Sequence, residues 1–209
     1  MDGDMKYEAG QWCVVTVKKD KVYSKALSIS SSPTEKGYLE FTKRLTASDF
    51  SSALSSLAPG DPVDIKYPFG RFMFRHDIPK IAFISGGIGI TPIRSICKDL
   101  VDRGVKADIV LLYGNNKIEE VAFKDDLDQM QAQYPGLRVV HVLRSAPAGW
   151  NGRTGLISEE LIRQEIPDYA DRRFYMCGPP SMVHAFDKIL KEALKLPQTQ
   201  VVTEDFTGS

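Results

Sequence analysis

The sequence predicts a small antiparallel β-barrel followed by an α/β domain built on a five-stranded parallel sheet. Three observations carry this. The hydrophobic period changes near residue 76, from short runs set off by turns to strands separated by amphipathic helices. Two strand-like runs, residues 80–85 and 173–176, end in glycine-bearing turns: Gly86-Gly87-Ile88-Gly89-Ile90-Thr91-Pro92 and Cys177-Gly178-Pro179-Pro180. Each turn leads into a helix with one apolar stripe.

In chain order, Gly10-Gln11 opens a strand over residues 12–17, and residues 27–30 form a second after a lysine-rich connection. Gly37 leads into a strand at 38–43, and Pro59-Gly60-Asp61 introduces another at 63–66. Strands this short, spaced by Gly, Pro and Asp turns, belong to a small barrel or sandwich. One helix interrupts them at residues 51–57, where the leucines are three apart and hydroxyls stand at the start. Beyond residue 76, strands at 80–85, 108–113, 137–143, 173–176 and 200–203 alternate with helices. Ile93, Ile96, Cys97, Leu100 and Val101 recur at helical spacing, and Gly104 supplies a stop. Met182, Val183, Phe186, Ile189, Leu190 and Leu194 make a second stripe. Residues 126–133 and 158–165 are weaker helices, the latter with Ser158 as N-cap. Such alternation implies parallel strands joined by right-handed crossovers. The boundary falls near residues 75–79, dividing a domain at 1–76 from one at 77–209.

Composition narrows the function. A chain of 209 residues, 43% apolar, holds one large core or two small ones. Lys+Arg and Asp+Glu both number 27, so no basic excess points to nucleic acid or an anionic membrane. Cys13, Cys97 and Cys177 are odd in number and lack CxxC spacing, which argues against a disulfide scaffold, a zinc ribbon or a cysteine-ligated iron–sulfur cluster. His76, His141 and His184 lie in separate segments without ligand-spaced partners, so no metal is expected. No apolar run reaches membrane-spanning length and Met1-Asp2-Gly3-Asp4 does not read as a signal peptide; a cytoplasmic protein is expected. Ser85 lies outside any G-x-S-x-G elbow.

The turns hold the chemistry. Glycines let backbone approach a ligand closely, and a helix starting near Pro92 aims free N–H groups at the same spot. The spacing is not the G-x-G-x-x-G fingerprint, so alone this turn is either a ligand loop or a tight strand–helix junction. Cys177 alone is either structural or a thiol that reaches a ligand. Together they are more specific. Ligands of open parallel sheets sit beyond the strands' carboxyl ends where strand order reverses, and the turns meet there if the first and fourth strands are neighbours.

These turns resemble the nucleotide half of the ferredoxin reductase-like FAD/NAD(P)-binding oxidoreductases, and the first half of the chain agrees. Lys25-Ala26-Leu27-Ser28, followed by Ile29-Ser30-Ser31-Ser32-Pro33, is similar to that family's flavin motif R-x-Y-S and its run of small residues. Tyr7-Glu8-Ala9-Gly10-Gln11, Leu57-Ala58-Pro59-Gly60-Asp61, Tyr67-Pro68-Phe69-Gly70-Arg71-Phe72, Trp150-Asn151-Gly152-Arg153-Thr154-Gly155 and Glu204-Asp205-Phe206 resemble further family features in the expected order. The resemblance implies FAD on the barrel, NAD(P)H on a Rossmann-like sheet, and electrons passed to an external acceptor, protein or small molecule.

The same resemblance implies site roles. Ser28 lies near the flavin atom that accepts hydride, and Cys177, Glu204 and Phe206 join it as catalytic candidates, Phe206 covering the flavin face. Lys25 and the helix start at Ser51 and Ser52 hold the flavin pyrophosphate; Ala26, Leu27, Thr42 and Lys43 complete the flavin site. Gly86, Gly87, Gly89, Thr91, Pro92, Cys177, Gly178 and Pro179 line the dinucleotide site. Arg144 and Arg153 either grip a 2′-phosphate or are solvated, which leaves NADH and NADPH both open. Trp12 is either barrel core or a flavin neighbour. Three departures stand out: Lys25 for arginine, Leu27 for the tyrosine that stacks on the ring, and a start at the strand around Trp12 where the family has earlier strands. The barrel is then open, completed by a partner subunit or second copy, or the sequence is incomplete. The rival function is a flavin- or nucleotide-binding electron-transfer or regulatory subunit with little activity alone.

Overall fold

A computed structural model describes residues 6–75 and 77–205. The first half is a three-stranded antiparallel sheet, order β2-β1-β3, made of β1 (Trp12–Lys18), β2 (Val22–Ser28) and β3 (Asp64–Phe69). Strict alternation along β1 buries Cys13, Val15 and Val17 against Ile29, Phe50 and Ala53. β2 begins earlier than the lysine-rich run suggested, because residues 22–26 continue the antiparallel ladder on β1, with half-buried Lys25 opposite Val15. Pro68 is tolerated within β3 because that strand too lies at an edge. The strand expected at 38–43 shrinks to one bridge, Ile29 with Phe41. Serine hydroxyls compete with the ladder there: Ser31 Oγ accepts the Glu40 N–H at 3.0 Å, and Ser30 Oγ donates to the Glu40 carboxylate at 2.8 Å. Helix α1 (Asp49–Ser55) starts two residues earlier than expected, at the Ser48 cap.

The second half is a parallel sheet of six strands rather than five, order β7-β6-β5-β4-β8-β9. Its strands are β4 (Lys80–Gly86), β5 (Asp108–Asn115), β6 (Leu137–Leu143), β7 (Arg153–Thr154), β8 (Arg173–Gly178) and β9 (Val201–Asp205). The extra strand, β7, has two residues, too few for any sequence period. Because β4 and β5 are buried on both faces, odd and even residues feed separate cores. Ile81, Phe83, Ile109 and Leu111 meet Ile93, Ile96, Cys97 and Leu100 of helix α2 (Ile90–Asp102) and Leu127 and Met130 of α3 (Lys124–Gln133). Ala82, Ile84, Val110 and Leu112 meet Ile162 of α4 (Glu159–Glu165) and Phe186 of α5 (Pro180–Lys188). Each fully buried aromatic or branched side chain here is worth about 1.5–3 kcal/mol. Gly104, at φ +60°, ends α2: its N–H reaches the Val101 carbonyl and the Val105 N–H reaches Leu100. Ser158 caps α4, accepting the Leu161 N–H at 3.2 Å.

One face of α2 lies against residues 30–35 of the first half. Ser95 Oγ donates to the Ser31 carbonyl at 2.6 Å, and Thr34 Oγ1 donates to Asp102 at 2.5 Å. Between them the buried Arg94 guanidinium pairs with Glu35. Burial pushes the Glu35 carboxyl up, but Arg94 and the Ser32 N–H outweigh it and hold it below its ordinary 4.5. A carboxyl whose folded pKa lies below its unfolded one contributes its full stability above the unfolded value and loses it as pH falls through the folded one. The melting-temperature gap between the wild type and Glu35→Gln should therefore be widest at neutral pH and close as pH drops below 4.5. Thermal melts by circular dichroism from pH 7 to pH 3 measure it, and a gap independent of pH would refute the assignment.

Candidate active site in the cleft

The strand order reverses between β4 and β8, so the two turns emerge side by side, with Ser85 in register with Cys177. Ser85 Oγ donates to the Cys177 carbonyl at 3.3 Å. Backbone meets backbone just beyond: a Cβ on Gly89 would strike the Cys177 carbonyl oxygen and lie 2.6 Å from Gly178 Cα. No side chain fits there. Gly87 sits at φ +53° in the 3-10 turn Gly87–Gly89 that opens α2, and its carbonyl accepts the Tyr113 phenol at 3.0 Å. Burial pushes that phenol up to about 12, so it stays a donor at neutral pH. Thr91 is buried with its hydroxyl on the Ile88 carbonyl at 3.1 Å, and Pro92 is buried behind it. Pro179 caps α5 in extended geometry, and Pro180 occupies the first helical position.

Across the cleft, β1 pairs Trp12 with Ser28, and Ser28 is buried. The Trp12 ring stacks on Phe69 at 4.8 Å and covers Gly70, where a Cβ would lie 2.6 Å from it. The same point on Gly70 lies 3.5 Å from Glu204 Oε1 of β9, and Glu204 is in register with Cys177 on β8. Cys177, Glu204, Gly70, Trp12 and Ser28 thus form one continuous path from the parallel sheet to the antiparallel one. Lys25 and Leu27 lie two apart on β2. Lys43 is held below its ordinary pKa by burial first and by the Lys25 charge second, and its ammonium donates to the Arg44 carbonyl at 3.2 Å. Arg44 reaches Gly87, with Nη2 3.6 Å from where a Cβ would be, and pairs with Glu120 at 3.4 Å.

Known proteins match both halves. The description "oxidoreductase FAD-binding domain" matches residues 1–74, and "oxidoreductase NAD-binding domain" matches residues 83–188. The chain belongs to the ferredoxin reductase-like FAD/NAD(P)-binding oxidoreductases. It is 33% identical over 208 residues to a Na(+)-translocating NADH-quinone reductase subunit of Neisseria meningitidis, covering 91% of this chain and 51% of that one. The chain thus spans about half the length of such curated relatives. The fold is shared with the cytochrome b5 reductase domain of Ulva prolifera nitrate reductase (TM-score 0.86, 19% identity, 98% of this chain and 88% of that one). It is shared also with a Neisseria gonorrhoeae ferredoxin NADP+ reductase with bound FAD and NADP (TM-score 0.81, 22% identity, 98% and 89%).

The cofactors of this reductase family member are FAD and a nicotinamide dinucleotide, and the residues present fit both. Lys25 on β2 supplies a cation for a pyrophosphate, and a glycine turn at a 13-residue helix start suits a second phosphate pair. Other expected residues sit differently. The Ser51 N–H is taken by Ser48 Oγ at 3.3 Å and that of Ser52 by the Ser48 carbonyl at 3.0 Å, so neither is free for phosphate. Ser52 also lines a hollow with Asp20 and Asp49. Thr42 Oγ1 lies 3.3 Å from Ser30 Oγ, and Ala26 is exposed on β2. Arg153 is ion-paired to the buried Glu165, which Arg138 also holds at 2.7 Å, whereas Arg144 is exposed at the end of β6. Phe206 and His76 lie outside the described residues.

Sequence reasoning missed Met182 and Arg94. Met182 reads as one more stripe residue, yet its thioether occupies the space that Cβ atoms on Gly86 and Gly178 would need. Arg94 lies at the edge of the apolar stripe of α2, and nothing local signals that its charge is buried. No helix among the described residues is long and apolar enough to cross a membrane, and no group of three metal-ligating side chains comes together among them.

Overpacking Gly89 tests the junction. Gly89→Ala should cost about 1–3 kcal/mol, a fall in melting temperature of roughly 2–4 °C per kcal/mol. Dinucleotide affinity should weaken while flavin content is retained, read by spectral titration of purified protein.

Proposed function

We propose that this chain takes hydride from NADH onto FAD and passes the electrons to a separate acceptor. The observation that supports it best is the path from Cys177 through Glu204, Gly70 and Trp12 to Ser28, which brings the two cofactor halves into contact. The bound pair supplies the redox chemistry, a hydride moving from nicotinamide to flavin. The chain's own groups bind and align. Lys25 and Lys43 neutralise the flavin pyrophosphate. Ser28 presents its hydroxyl to the flavin edge. Gly87 admits the dinucleotide phosphates to the N–H groups of α2, while Gly86 and Gly89 let Met182 and the Cys177 backbone pack close beside it. Thr91, Cys177, Gly178 and Pro179 frame the nicotinamide, Glu204 closes the far side, and Phe206 covers the flavin. No side chain need act as general acid or base, because the step carries its own proton with the electron pair. Residues 1–76 serve as the flavin domain and 77–209 as the nucleotide domain.

NADH is favoured over NADPH because Arg153, one of two arginines near the strand ends, is already neutralised by Glu165. The curated relatives are named as Na(+)-translocating NADH-quinone reductase subunits, which agrees with that choice and with a partner subunit as acceptor. The open edge of β2 favours a second reading, a subunit of low activity until a partner strand completes the sheet.

An absorption spectrum of the purified protein, followed by anaerobic NADH and then NADPH, tests the proposal. A flavin band bleached faster by NADH is expected; a flavin-loaded protein that neither coenzyme reduces would end it. Leu27→Tyr restores an aromatic face and should tighten FAD by roughly 2- to 10-fold, the worth of one ring stack, in an equilibrium dialysis measurement.

A further inference from the structure

Arg94 is buried at the boundary between the two halves, and all five of its N–H groups are used. Nη1 donates to the Ser30 carbonyl at 3.2 Å and, with Nη2, forks onto the Glu35 carboxylate. Nε and Nη2 donate to Asp126 Oδ2 of α3 at 3.0 and 2.7 Å. Its guanidinium also lies over the Phe123 ring, 5.5 Å from the centroid, and Phe123 is held at φ +57° directly before α3. Burial opposes the charge on Arg94, but Glu35 and Asp126 outweigh it and the guanidinium stays protonated.

The location of this cluster matters more than its strength. Ser30 is two residues beyond Ser28, and Arg94 is one helical turn beyond Thr91. The bond from Arg94 to Ser30 therefore links the flavin-side and nicotinamide-side residues by a short route, from the chain just beyond β2 to the first turns of α2. A buried ion pair is commonly no more stabilising than apolar residues of the same shape, whereas its directional bonds admit one arrangement. The neighbouring bonds, Ser95 to Ser31 and Thr34 to Asp102, join hydroxyls that rotate; the planar fork of Arg94 fixes an angle.

We propose that Arg94, through Glu35 and the Ser30 carbonyl, is the positioning residue that sets how the nucleotide half docks on the flavin half, and so the distance and angle of hydride transfer. This rests on the function proposed above: the nicotinamide gives up two electrons and one proton together, FAD accepts them, and Arg94 touches neither ring. Displacements of about 1 Å cost such steps roughly 100-fold in rate, so loosening this joint slows the transfer more than it weakens either cofactor's binding.

Anaerobic stopped-flow reduction of the FAD-loaded protein by NADH separates these effects, giving a limiting rate and an NADH dissociation constant for each variant. Arg94→Lys keeps the charge but loses the fork, and Glu35→Gln keeps the shape but loses the carboxylate. Each should lower the limiting rate by at least roughly fivefold with the dissociation constant changed less than about threefold. Asp108→Asn is the control. It loosens another buried arginine, Arg172, which Asp108 and Asp168 hold at the opposite end of the sheet, and it should lower the melting temperature without changing the limiting rate. Should Arg94→Lys fail to fold, Glu35→Gln alone decides. A limiting rate within fivefold of wild type in a folded, flavin-loaded variant overturns the proposal, as does an equal slowing in Asp108→Asn. Wild-type protein that NADH leaves oxidised would instead overturn the function on which it rests.

Discussion

At the reversal point of the parallel sheet, the backbone of Gly89 rests against the backbone of Cys177 and Gly178 with no space for a methyl group. Everything at the cleft follows from this contact. It brings the start of α2 beside the start of α5. It also fixes the ends of β4 and β8, so that Glu204, one strand further, stands level with Cys177 and faces Gly70 across the cleft. A sheet whose neighbouring strands ended at different heights would offer two separate turns and no crevice.

The cleft also depends on how the halves are joined. Apolar contact crosses the joint through Phe72, which meets Tyr175 edge-on, and polar groups of residues 30–35 and α2 add directional bonds beside it. Hydrogen bonds are directional and apolar contacts are not, so a polar joint specifies an angle where an apolar one would permit sliding. The same serines explain why the strand expected at 38–43 is reduced to a bridge: their hydroxyls and carbonyls are engaged with Glu40, Tyr7 and α2 instead of a regular ladder.

Charge is handled differently at the two ends of the parallel sheet. At the amino-terminal ends, Arg172 is closed off by Asp108, Asp168 and two carbonyls, an arrangement complete in itself. At the carboxyl-terminal ends, Arg44 is paired with Glu120 but half exposed above Gly87.

The sequence alone determined the two halves, the parallel sheet of the second, and the identity of the turns at its strand ends. Alternation with period two, stripes near period 3.6 and glycines at strand ends are local patterns that no packing is needed to see. Tertiary structure decided the rest, beginning with the pairing of β4 and β8 that sets the two turns side by side. The two-residue β7 is too short to have a period, and Ser51 and Ser52 lost their N–H groups to a cap three or four residues earlier. Arg153, legible as a phosphate ligand, is engaged by Glu165, a partner twelve residues away brought close by α4. Arg94 reads as an ordinary charge flanking an apolar stripe and becomes a joint because Glu35 and Ser30, about sixty residues earlier, fold against it. Which charge finds which partner depends on distances in space, and side-chain spacing along the chain carries no record of them.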